Sequence, residues 1–313
     1  MTFREALRHP PSLVITLVVA LLMMAAPSYS FFAFGAGNEQ LRGSLLSTHM
    51  LSGVVLISLT ATSLFYREMS EHTILAVLSK PVSLPVYYCG KLLGILALLT
   101  LFYFIITCTG VMSTIISVME TASTRLNLLP LYFLSAGLLA LAIFSFLANY
   151  LFAVPIVSCF FLGWGLLCPL VLLATWWLSP LFEPPFPLPE ANVLGEYLKS
   201  ALALFGLIAA AAAFSVALSA CTGPAANLVL SVGFLIAGLM APGLEKTWQG
   251  AHPWLAQAAG GAPNLHAFWL AEMVDLGQII PWAYVLECLG YAALLAAGFS
   301  CAGIFVLLGK EYT

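Results

Sequence analysis

Charge is what this sequence has least of. Lys, Arg, Asp and Glu together make up 7% of the residues, while hydrophobic residues make up 62%. Soluble domains carry roughly a quarter charged residues, so a water-exposed globule of 313 residues is excluded. The bilayer must then act as solvent, and backbone amides must be satisfied within helices or a closed barrel. Alternating strands of about ten residues, the mark of a membrane barrel, are also missing. Catalytic signatures are absent as well. The sequence has no G-x-x-x-x-G-K-[ST] phosphate loop, no H-E-x-x-H zinc helix and no intramembrane carboxylate pair or Ser/His dyad. This chain is therefore expected to be no enzyme and to need no cofactor of its own.

What is present is a series of continuous apolar runs, each about as long as a hydrocarbon core of about 30 Å requires. They fall at 12–34, 45–65, 92–118, 128–150, 153–178, 198–219, 224–239 and 282–308. The expected fold is an all-α polytopic membrane protein forming one transmembrane domain over 1–313, with six to eight true spans. The seventh run is the shortest and is open to a re-entrant form, with the sixth and seventh as a hairpin that dips in without crossing. Either version gives an even number of crossings, so both termini lie on one side. With the N-terminus inside, the inner segments hold Arg4, Arg8, Arg67, Lys80, Lys91 and Lys310, and the outer ones hold Arg42, Arg125, Lys199 and Lys246. This modest excess favours N-in and C-in. The expected location is a plasma membrane of bacterial inner-membrane type.

The opening residues mimic a signal peptide, but apolar character continues through Phe31, Phe32 and Phe34, which is too long for one. Residues 1–11 read instead as an amphipathic helix on the inner surface, capped by Thr2 and followed by a span kinked at Pro27. Two outer loops stand out. Segment 179–197 opens with the proline-rich "SPLFEPPFPLPE", expected as a stiff connector. Segment 243–281 carries Trp248, Trp254 and Trp269, which favour the headgroup zone. His252, His266, Glu272 and Asp275 share that loop without a metal-site spacing. The seven cysteines include no C-x-x-C pair and are expected as free core residues. Glu287 stands as the ionisable candidate within the spans, too little for an ion-coupled transporter. Any active transport would need energy from a partner.

One run departs from the general poverty of charge: "REMSEHTILAVLSKPVSLPVYYCGK", Arg67 to Lys91. It follows the second span, hence faces the cytoplasm in the topology above, within a coupling region at 66–91. Ser70 suits an N-cap, and Glu71 suits the first turn of a helix. Glu71, Ile74, Leu75 and Leu78 recur at helical spacing and place three aliphatics on one stripe. Pro81 ends that helix. Ser83 can cap the next one, with Pro85 in its first turn. Tyr87 and Tyr88 suit the headgroup level, and Lys91 can snorkel to the surface.

This stretch resembles the signature of ABC-2 type permeases, whose loop after the second span reads E-x-x-x-G-T, a leucine-rich turn, L-S-x-P-V-S and G-K. The matching residues are Glu68 or Glu71, Thr73, Leu75, Leu78, Ser79, Pro81, Val82, Ser83, Gly90 and Lys91. His72 replaces the usual glycine, and Leu84 stands where arginine often follows. "FREALRHPPSL" at the start and "GKEYT" at the end are weaker echoes. The resemblance implies the membrane subunit of an ATP-driven exporter. Its partners would be a cytoplasmic ABC ATPase carrying ATP and Mg, a second permease subunit, identical or homologous, and the lipid bilayer, with no nucleic acid. It makes Ile74, Leu75 and Leu78 the apolar contact for the ATPase, with Arg67, Glu68 and Glu71 orienting it. Thr73, Pro81, Val82 and Lys91 would complete the coupling segment. The alternative is a non-transporting membrane scaffold that recruits a cytoplasmic partner through the same loop.

Overall fold

The computed structural model describes residues 2–30, 37–66, 68, 83–118, 126–183, 185–249 and 252–309. Among the described residues there is no strand. In chain order the helices are α1 (Thr2–Leu7), α2 (Pro10–Ser30), α3 (Gly37–Ala61), α4 (Leu84–Ile116), α5 (Leu129–Phe152) and α6 (Ile156–Leu178). They continue with α7 (Ala191–Ser219), α8 (Pro224–Trp248), α9 (Pro253–Gly260), α10 (Ala271–Asp275) and α11 (Trp282–Leu308). A π-helical turn, Thr62–Tyr66, extends α3, and 3-10 turns lie at Ser179–Leu181 and His266–Phe268. Eight of the helices, α2 to α8 and α11, are long and apolar enough to cross a bilayer. The chain is thus an all-α polytopic membrane protein.

Several boundaries differ from the sequence expectation. Helix α8 runs on through Pro242 to Trp248 and has 25 residues, so the seventh run is neither the shortest nor too short to cross. Proline within a span is tolerated because neighbouring groups can satisfy the freed carbonyl. Helix α4 starts at Leu84, as expected for a helix with Ser83 ahead of it and Pro85 in its first turn, and so begins before the apolar run at 92; the Ser83 carbonyl accepts the Tyr87 N–H at 3.0 Å. Helix α7 starts at Ala191, so 191–197 belongs to a helix and not to the outer loop. The leading helix covers only Thr2–Leu7, and it packs on α2 and α6 with Ala6 and Leu7 buried.

The chain divides into two compact units. The first comprises 1–52, 97–201 and 271–280. Its most closely packed pair is the α5–α6 hairpin. The turn places Ala153 at φ 53°, a left-handed conformation costly for a non-glycine residue. Asn149 braces it by donating Nδ2–H to the Val154 carbonyl at 2.8 Å. Between the two helices, Leu167 fills the space a side chain on Gly137 would take, and Leu141 does the same over Gly163. This reciprocal leucine-over-glycine packing supplies close contact where lipid gives no hydrophobic drive. The proline-rich connector after α6 folds back on itself instead of standing as a rod. The Phe186 N–H returns to the Ser179 carbonyl at 3.1 Å, and Asn127 donates to Ser179 Oγ at 2.8 Å.

The second unit comprises 53–96, 202–270 and 281–313. Buried Asn227 near the start of α8 joins α7 to α8. Its Oδ1 accepts from Ser215 Oγ at 3.0 Å and Ser231 Oγ at 3.1 Å, while its Nδ2 donates to the Ser215 carbonyl at 3.0 Å. Phe214, Phe234 and Phe299 cluster with ring centroids 4.4 to 5.4 Å apart. The segment before α11 is pinned too. Tyr284 donates to the Ala267 carbonyl at 2.8 Å, and Phe268 stacks on Tyr291.

Asn227→Leu should lower unfolding free energy in detergent by about 1 kcal/mol, the usual scale for interhelical hydrogen bonds in membranes. Titration with a denaturing detergent, followed by circular dichroism, measures it. An unchanged midpoint would refute the role assigned to Asn227.

Candidate functional site at the neck of a cytoplasm-assigned loop

Of the ten residues expected to couple this chain to a partner, Glu68 and Lys91 lie among the described residues. Arg67, Glu71, Thr73, Ile74, Leu75, Leu78, Pro81 and Val82 lie outside them. The two that are described meet. Lys91 Nζ donates to Glu68 Oε1 at 2.6 Å, and the Tyr87 hydroxyl donates to Glu68 Oε2. One carboxylate at the end of the second span therefore grips two residues in the first two turns of α4. The pair closes the neck of the loop.

The neck is buried rather than interfacial. Lys91 is 6% exposed, Tyr87 8% and Tyr88 0%. Lys91 turns to Glu68 on its own chain instead of reaching out to the surface as a snorkelling lysine would. Lys91, Tyr87 and Tyr88 all lie in the first two turns of α4 and pack against their own chain. Phe65, in the π turn, lies between them, with centroids 5.9 Å from both Tyr87 and Tyr88. Tyr88 in turn sits against α11, where a Cβ on Gly303 would come within 2.6 Å of its hydroxyl oxygen. The desolvation cost of a buried ion pair is offset only by good geometry and further hydrogen bonds. Glu68 has both, through a short contact and a second donor. Its carboxylate thus faces inward onto its own chain.

Helical polar residues support this neck. Thr62 Oγ1 donates to the Ser58 carbonyl at 2.7 Å, and Thr60 Oγ1 to the Leu56 carbonyl at 2.5 Å. Hydroxyls that bond back to a carbonyl four residues earlier bend helices. Here Thr60 lies just before the π turn and Thr62 opens it.

A second polar centre escaped the sequence reading, which took Glu287 as the ionisable candidate of the spans. His49 lies within the second span and is fully buried in the first unit. Its Nδ1–H donates to the Leu45 carbonyl at 2.8 Å, since a carbonyl can only accept. That leaves Nε2 to accept from the Thr107 hydroxyl at 3.3 Å. Tyr103 and Tyr197 meet the imidazole edge-on. Both ring nitrogens are satisfied, so His49 reads as a structural core residue of the neutral form. The signal that could have found it is simple: a histidine inside an apolar run needs a hydroxyl partner one helix away. Tyr197 is different. Its hydroxyl is buried without a hydrogen-bond partner among the described residues, and a Cβ on Gly110 would come within 1.9 Å of it.

All seven cysteines are free. Among the described residues no group of three or more His, Cys, Asp or Glu is placed to hold a metal ion. No protein-family model matches this chain, and neither a curated protein nor a solved structure matches it at a significant level.

Two outcomes follow. Lys91→Met alone should destabilise the protein by about 2–4 kcal/mol by stranding a buried carboxylate, whereas the double variant Glu68→Leu, Lys91→Met should recover most of that. A double-mutant cycle in the same unfolding assay checks this, and additive losses would contradict the clamp. Tyr197→Phe should be neutral or stabilise by about 1 kcal/mol, because it removes an unsatisfied buried hydroxyl. A clear loss of stability would contradict that assignment.

Proposed function

We propose that this chain is the membrane-spanning permease subunit of an ATP-driven exporter of the ABC-2 type. A separate cytoplasmic ATPase would dock on the loop at 67–91 and supply the energy, and a second permease subunit would complete the path. The support comes from two sources. The loop carries the Glu, Thr, Leu-Ser-x-Pro-Val-Ser and Gly-Lys pattern, and its two ends are tied by the Glu68–Lys91 pair and Tyr87. The second observation carries the mechanism. A loop with a loose neck would absorb a push in its own backbone. A neck clamped to the first turns of a 33-residue helix passes displacement directly into that helix.

The parts then take distinct roles. Ile74, Leu75 and Leu78 form the apolar stripe that a cleft on the ATPase would bury, and buried apolar anchors carry most of such interfaces. Arg67 and Glu71 orient the contact. Glu68 acts on the permease side, as half of the clamp. ATP and Mg would be held entirely by the partner, because this chain has no phosphate loop.

Leu78→Asp should abolish recovery of the ATPase in a mild-detergent pull-down from the host's own membranes, while the variant still inserts and purifies as a monodisperse species. Equal recovery of an ATPase with both proteins would overturn the docking assignment. No ATPase with either would favour the scaffold alternative.

A further inference from the structure

Within the first unit, four chain segments line a half-open cavity of about 560 Å³ that adjoins a smaller one of about 270 Å³. The combined size suits a small ligand or the head of an amphiphile. Arg42, Glu190 and Val193 line both lobes. Lys199 and Glu196 line the larger, and Thr114 and Ser117 the smaller. In the N-inside topology all these segments lie on the outer side of the bilayer.

The charges here divide into two kinds. Lys199 and Glu196 are committed to each other and to the backbone. Lys199 Nζ lies 2.8 Å from Glu196 Oε1 and 2.9 Å from the Ile280 carbonyl, and Glu196 Oε2 accepts the Ile280 N–H at 2.7 Å. That closed triad fixes 271–280 against α7. Thr114 and Ser117 are committed as well, to carbonyls of their own helix. Arg42 is not. Its Nε is buried and has no hydrogen-bond partner among the described residues. Burying a guanidinium N–H without a partner is costly, and natural structures rarely leave such a group unless something else supplies the acceptor. Glu190, at the start of α7, is exposed and is likewise in no described ion pair.

We propose that this cavity binds a zwitterionic head group, with its acid group on Arg42 and its ammonium facing Glu190. The acid is a phosphodiester or a carboxylate, either of which matches the planar guanidinium. The charge balance selects the zwitterion. The four charged walls, Arg42 and Lys199 against Glu190 and Glu196, sum to zero, so a dianion would meet two carboxylates with only one uncommitted cation. Val193, Val274 and Ile279 add apolar wall for an attached hydrocarbon or side chain. The site stands apart from the loop at 67–91 and holds whether or not that loop receives an ATPase.

The test uses the full chain purified in detergent and native mass spectrometry. The probes are dioleoyl phosphatidylethanolamine, dioleoyl phosphatidylglycerol, and the soluble head group glycerophosphoethanolamine. The wild type should retain the ethanolamine lipid at least tenfold better than Arg42→Gln, while Lys246→Gln, an exposed cation elsewhere, should match the wild type. Glu190→Gln should narrow the preference for the ethanolamine lipid over the glycerol lipid by several-fold. Binding of the soluble head group at comparable affinity would identify a free zwitterion as the ligand; binding of the lipid alone would identify the membrane as its source. Equal retention by wild type and Arg42→Gln would overturn the proposal. So would failure of Arg42→Gln to fold, because an arginine awaiting a ligand is dispensable to the empty fold. Without ligand, that variant should melt no lower than the wild type.

Discussion

Hydrocarbon offers no hydrogen-bond partner, and nearly every feature of this molecule follows from that constraint. Backbone groups are absorbed by helices of 19 to 33 residues. Hydroxyls are absorbed by the same helices. Thr16, Ser52, Thr109, Thr175 and Ser300 each donate to a carbonyl four residues earlier. Amides and imidazole need partners further away, and they find them in Ser215 and Ser231 for Asn227 and Thr107 for His49. The same rule gives meaning to the exceptions. Several buried polar atoms lack a partner among the described residues, Trp164 Nε1, the Tyr197 hydroxyl and Arg42 Nε among them; of these, Arg42 belongs to a charged side chain that lines a cavity.

Charge is rationed in a related way. Glu68 with Lys91, and Glu196 with Lys199, each join a carboxylate and an ammonium below 3 Å, and each pair also takes a further bond from its own chain. Each pair, with its added bonds, fastens another chain segment to the first turns of a spanning helix. In the first case the fastened element is the end of the second span; in the second it is the segment before α11. Ion pairs of this kind add little net stability compared with apolar packing, but they fix register. The coupling proposed for the neck and the binding proposed for the cavity would both depend on that fixed register.

The fold class and the number of helices were legible from composition and run length, because a span must match the bilayer. Helix ends were less legible, for one reason throughout. Polar residues near an interface read as loop, yet Glu196 sits in α7 and Lys91 in α4, since partners elsewhere in the chain satisfy them. The seventh run ends at 239, yet α8 continues through Pro242 to Trp248. At the candidate site, the motif was visible in the order of residues, but the inward turn of Glu68 was not. Nothing local in "REMSEH" announces a lysine twenty-three positions on. His49 was missed because its partner, Thr107, is fifty-eight residues away.

In the proposed function a cytoplasmic ATPase would sit against Ile74, Leu75 and Leu78. The most direct measurement places a photo-activated cross-linking amino acid at position 75 in the full chain, in its own membranes, and identifies what it captures by mass spectrometry. Capture of a nucleotide-binding protein, lost when the same probe is moved to the lipid-exposed position of Leu294, is the predicted result. Capture of lipid alone, or of a protein without a nucleotide site, would contradict the account.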